Sequence, residues 1–118
     1  MNTAELLYRE AWRLLEELAP YEGGTGHVAV GAENLLDTAV RYARIRADWE
    51  RATPAARQEM NETRTQAHDA FIGACNVLAR AMAQVEMSVT WREQLGNDRK
   101  TLGDFACFLH CALGVRAR

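Results

Sequence analysis

From Thr53-Pro54 to Met87 the chain has no proline beyond Pro54 and one glycine, Gly73. This stretch constrains the fold most. At about 100° per residue, Met60, Ala67, Phe71, Ala74, Leu78, Met82 and Val85 fall on one apolar stripe. Thr53 as N-cap and Pro54 in the first helical position predict a helix over 54–87. At about 1.5 Å per residue it would be about 50 Å long, so a kink or break within it is expected. Arg64, His68 and Cys75 sit on or beside the stripe, where a plain core helix carries Leu or Ala. Polar groups near a core must find partners, so this stretch is shaped by more than packing.

The flanking sequence repeats the helical period. Asn2 caps a helix over 3–19, with Glu5 as its capping-box partner, Leu7, Ala11, Leu14, Leu15 and Leu18 as its buried face, and Pro20 as its stop. After the glycine-rich loop 20–27, a helix over 29–51 places Leu36, Ala39, Val40, Ala43 and Ala47 in its stripe, flanked by Leu35, Tyr42 and Trp49. Thr90 and Glu93 form a capping box for a short turn at 90–95 that ends at Gly96, and Asp98 or Thr101 starts a last helix over 98–115. No strand alternation occurs. The fold class expected is all-α: an antiparallel bundle of four main helices, 3–19, 29–51, 54–87 and 98–115, with a short extra turn, forming a single domain over 1–118. The last helix has one bulky side and one strip of small residues, Gly103, Cys107, Cys111 and Gly114. It therefore asks for two neighbours, and a second subunit is a candidate for one of them.

Apolar content of 48% and charged content of 25% fit a globular chain of 118 residues. No apolar run approaches the ~18 residues of a membrane span. The opening Met-Asn-Thr-Ala-Glu carries neither a basic region nor an apolar signal segment, so a cytoplasmic protein is expected. A net charge of −2 argues against bulk nucleic-acid binding and leaves room for a local cationic patch. Lys100 is the one lysine among 14 basic residues, and the arginines suit bidentate pairing to carboxylate or phosphate. Three cysteines, an odd number, argue against a disulfide framework.

Several constellations offer chemistry. Cys75, Cys107, His110 and Cys111, with His68, are candidate zinc ligands if their two helices meet, although the paired Cys-x-x-Cys spacing of zinc sites is missing. His68-Asp69, with His27 upstream and Asp98 or Asp104 downstream, resembles the ligand set of helical HD-type phosphohydrolases, at looser spacing. Arg64 and His68 are spaced one residue closer than the Arg–His signature of small helical ribonucleases. The structural alternative is that both are hydrogen-bonded between helices, to Asp37, Asp104 or the carboxylates of the first helix. The glycines of 23–26 follow a helix and lack the Gly-Lys-Ser/Thr ending of a phosphate loop. Arg41, Arg44, Arg46, Arg51 and Arg57 are interleaved with Asp48, Glu50 and Glu59, the pattern of a solvated, ion-paired face.

The run from Arg64 to Met82, followed by Arg99-Lys100-Thr101-Leu102-Gly103-Asp104-Phe105-Ala106-Cys107-Phe108-Leu109-His110-Cys111-Ala112-Leu113-Gly114-Val115-Arg116, resembles a family of small helical bacterial proteins similar to accessory genes of plasmids, prophages and integrative elements. The resemblance covers the C-terminal half and implies no activity, cofactor or catalytic residue. The function expected is a non-enzymatic protein-interaction module without cofactor or metal. Its partner is a protein, a second copy through the small strip included. Arg64, His68, Asp69, Asn76 and Arg80 then form a polar network or recognition surface. The competing expectations are a metal-dependent phosphoesterase or nuclease using His68 and Asp69, and a DNA-binding accessory protein.

Overall fold

The computed structural model describes residues 2–117. Helix α1 spans Thr3–Leu18 and passes into a 3-10 turn, Ala19–Tyr21. Helix α2 spans His27–Arg51, α3 Pro54–Gln84, α4 Thr90–Leu95 and α5 Arg99–Arg116. No strand occurs among the described residues, and the fold is an all-α bundle. No helix is long and apolar enough to cross a membrane, among the described residues.

Local chemistry sets most boundaries. The Asn2 side chain accepts the Glu5 backbone N–H at 2.8 Å, and Thr53 and Asp98 accept those of Ala56 and Thr101 at 3.2 and 3.0 Å. Two ends differ from expectation. Thr90 is the first residue inside α4 rather than its cap, because the Ser88 hydroxyl already accepts the Thr90 N–H. Helix α3 stops at Gln84 because Glu86 turns left-handed, φ 62°. The Met87 N–H then reaches the Met82 carbonyl and the Glu86 N–H reaches that of Ala83, closing a Schellman motif on a residue other than glycine.

The break expected in the long helix does not occur. Helix α3 is continuous over 31 residues, about 46 Å at the standard rise, and the molecule is 47 Å long. Helix α2 runs antiparallel beside it, with Gly31 at Leu78 and Tyr42 at His68. Helix α5 packs against both α2 and α1, so both neighbours demanded by its two-sided composition lie within this chain. The core gathers Leu14, Leu15, Leu35, Phe71, Leu78, Met82, Phe105 and Leu109. Phe105 joins three helices: its ring centroid lies 6.5 Å from Phe71 and 6.1 Å from Trp91. From Leu35 onward the buried residues of α2 are Leu35, Ala39, Tyr42 and Ala43, with Leu36 and Val40 half-buried and Ala47 exposed. This face is rotated from the expected stripe because α2 serves two partners at once. Val85, expected in the α3 stripe, is exposed, since the chain has already turned away at the Schellman motif.

Candidate functional site

Where α5 begins, its first turn meets the outer half of the α2–α3 pair. A cleft of about 430 Å³ opens there, lined by Tyr42, Arg46, Trp49 and Glu50 of α2, Arg64, Thr65 and His68 of α3, and Arg99 and Lys100 of α5.

His68 is 6% exposed. Its partner is none of the carboxylates expected: the Nε2–H donates to the Arg99 backbone carbonyl at 2.8 Å. That bond fixes the tautomer, so Nδ1 is left as a buried acceptor with no partner among the described residues. Tyr42 meets the imidazole edge-on at 5.0 Å, and Gly103 of α5 leaves room for both rings. Burial pushes the His68 pKa below the ordinary imidazole value, with the Arg99 carbonyl bond opposing in part.

Arg64 lies over the Trp49 ring, its guanidinium carbon 4.3 Å from the centroid, and Arg57 lies at the same distance. Arg57 is spent on the end of α2, donating to the Trp49 and Glu50 carbonyls at 2.8 Å each. Arg64 has no carboxylate partner among the described residues, and its buried Nε–H has no acceptor. The Trp49 indole N–H is likewise buried without an acceptor. The other cations of the cleft are matched. Arg46 pairs with Asp104 at 2.8 Å and Glu50 at 3.4 Å, Lys100 with Asp104 at 3.6 Å, and Arg99 with Asp69 at 2.9 Å. Burial alone would lower the Arg46 pKa, but the Asp104 bond and the electrostatic pull of Cys107, Asp104 and Tyr42 together outweigh it and raise it.

The sequence-derived candidates therefore separate into different places. Arg64 and His68 share the cleft, whereas the Asp69 carboxylate is exposed and held by Arg99. Asn76 accepts from Arg92 Nε at 2.8 Å and so ties α4 to α3. Arg80 lines a separate groove with His27. Cys75 is fully buried, its thiol pushed up to about 12 by burial. Cys107, His110 and Cys111 line a shallow groove with Arg46, whose Nη1 lies 3.7 Å from the Cys107 sulfur. Among the described residues no three His, Cys, Asp or Glu side chains form a group able to hold a metal ion. The small strip splits likewise: Gly103 is buried under Tyr42, while Cys111 and Gly114 are exposed.

The groove with Arg80 runs between α2 and α3 and encloses about 710 Å³. Val30, 56% exposed, and Val77, 48% exposed, line it together with Gly31 and Ala81. Glu33 and Asp37 lie on the α2 wall, and Arg80 lies on the α3 wall. Val85, 55% exposed, lines the adjoining pocket. Sequence reasoning missed this surface because Val30 and Val77 fall outside the helical stripes. It also missed Glu10, buried on α1 with Arg13 as its partner at 3.2 Å. No family model, curated protein or solved structure matches this chain.

Proposed function

We propose that this protein is a non-enzymatic interaction module, an accessory protein of the kind its C-terminal half resembles, which pairs with a second copy of itself through the α2–α3 groove. The observation that carries the reading is the exposure of Val30 and Val77 on one groove whose walls carry opposite charge. Exposed large apolar side chains gathered in one place mark an interaction surface. The charge pattern selects the partner. A two-fold axis along the groove sets Arg80 of one copy against Glu33 and Asp37 of the other, twice over. Gly31 lets α2 approach Leu78 closely at the groove, where an added Cβ would stand 3.3 Å from Leu78 Cδ1.

Native mass spectrometry and light scattering from micromolar to millimolar protein test the reading. A dimer is expected, lost in Arg80→Glu and in Val77→Glu, and regained when Arg80→Glu is combined with Glu33→Arg and Asp37→Arg. A strict monomer over the whole range, or a dimer indifferent to both single changes, refutes it.

A further inference from the structure

We infer that the cleft between Trp49, Arg64 and His68 is a binding site for a small organic oxyanion that carries a neighbouring hydroxyl, the chemistry that sugar phosphates and hydroxy acids share. The inference does not depend on self-association, because the cleft and the groove have no lining residue in common.

Four buried side-chain polar atoms lack a partner among the described residues, and three belong to residues of this cleft: Trp49 Nε1, Arg64 Nε and His68 Nδ1. Unpaired buried polar groups are costly, so three on residues that line one cavity call for an explanation. The fourth, the Trp91 indole nitrogen, is alone in the core beside Phe105. The three differ in kind. The indole and guanidinium groups are donors, and His68 Nδ1 is an acceptor because Nε2 carries the proton. Two donors suit an oxyanion, and one acceptor beside them suits a hydroxyl.

Charge points the same way. Among the described residues Arg64 is the cleft cation without a counter-charge, and Glu50, the one carboxylate among them lining the cleft, is engaged by Arg46. The Trp49 ring, with its centroid 4.3 Å from the guanidinium carbon, holds the Arg64 cation in the cleft before anything binds. A volume of about 430 Å³ falls at the lower end of small-molecule sites. Tyr42 and Trp49 supply apolar walls for the carbon frame of such a ligand.

Nuclear magnetic resonance of the nitrogen-labelled protein, titrated at constant ionic strength with glycerol 3-phosphate and separately with tartrate, tests the site. The expected result is a saturable shift of the Trp49 indole and Arg64 Nε resonances with at least one probe, while the Trp91 indole stays still. A response to glycerol 3-phosphate alone assigns the oxyanion as phosphate, and a response to tartrate alone assigns it as carboxylate. Arg64→Gln removes a charge-assisted bond and is expected to weaken binding about tenfold or more. The wild-type titration decides by itself if that variant fails to fold. No saturable shift with either probe, equal movement of Trp49 and Trp91, or unchanged affinity in a folded Arg64→Gln overturns the inference.

Discussion

Gly103→Ala tests how α5 is seated on α2 and how His68 is held. An added Cβ would stand 2.8 Å from the Tyr42 hydroxyl oxygen, 3.2 Å from Tyr42 Cε2 and 3.3 Å from His68 Nε2. Tyr42 is buried and braced edge-on against the imidazole, so it cannot swing aside without displacing a ring already bonded to the Arg99 carbonyl. Glycine to alanine within a helix ordinarily gains about 1 kcal/mol. Overpacking a tight core costs about 1–3 kcal/mol. A weakened His68 bond costs about 0.5–1.5 kcal/mol more. The net expectation is a loss of about 0.5–3.5 kcal/mol. Gly73→Ala is the matched control: nothing lies within 4 Å of its added Cβ, so a gain of about 0.5–1 kcal/mol is expected. The two changes, chemically identical, should move the urea midpoint in opposite directions at unchanged slope. Tyr42→Phe removes the nearest atom, so Gly103→Ala should cost less in that background. A Gly103→Ala protein as stable as the wild type would falsify the packing argument.

Glu86→Gly relieves a left-handed residue at the end of α3 and should stabilise the protein by about 1 kcal/mol, read in the same denaturation; a loss would mean the Schellman turn is misassigned. With a disulfide thiol reagent such as DTNB, exposed Cys111 should react first, half-buried Cys107 more slowly, and Cys75 only after unfolding. Rapid modification of Cys75 in folded protein would contradict its place in the core. The lowered pKa of His68 means the unfolded chain binds the proton more readily than the folded one. Stability from this group is therefore complete above about pH 6.5 and falls as the pH drops below it. His68→Asn should flatten the stability profile in that window, and an unchanged slope would show that His68 is not the titrating group.

The ends of the helices were legible wherever a side chain makes the cap. Asn2, Thr53 and Asp98 each accept a backbone N–H three residues on, and that chemistry is visible in the spacing. The end of α3 was not legible, because a left-handed cap on Glu86 lacks the glycine that normally announces it. Neither was the face of α2, since periodicity reports one average direction while α2 divides its surface between α3 and α5. Within the cleft, Arg64 and His68 stood out as polar residues near an apolar stripe. Their companions did not, because Tyr42, Trp49 and Arg99 belong to other helices and no periodic pattern encodes which faces meet. The partner of His68 is a main-chain carbonyl, which no residue type marks.

From Arg44 to Gln66, across the ends of α2 and α3 and the turn between them, no residue is buried. Guanidinium groups over an indole and on main-chain carbonyls hold this end together, and the fully buried core lies beyond it, with Ile45 packed half-buried at its edge. One uninterrupted helix thus belongs to two mechanical regimes. Amide exchange along α3 should step from weak to strong protection near Ala67, where the core begins. His68 and Arg64 straddle that step, so anything that braced them would slow exchange out to the tip of the hairpin, far from the point of contact.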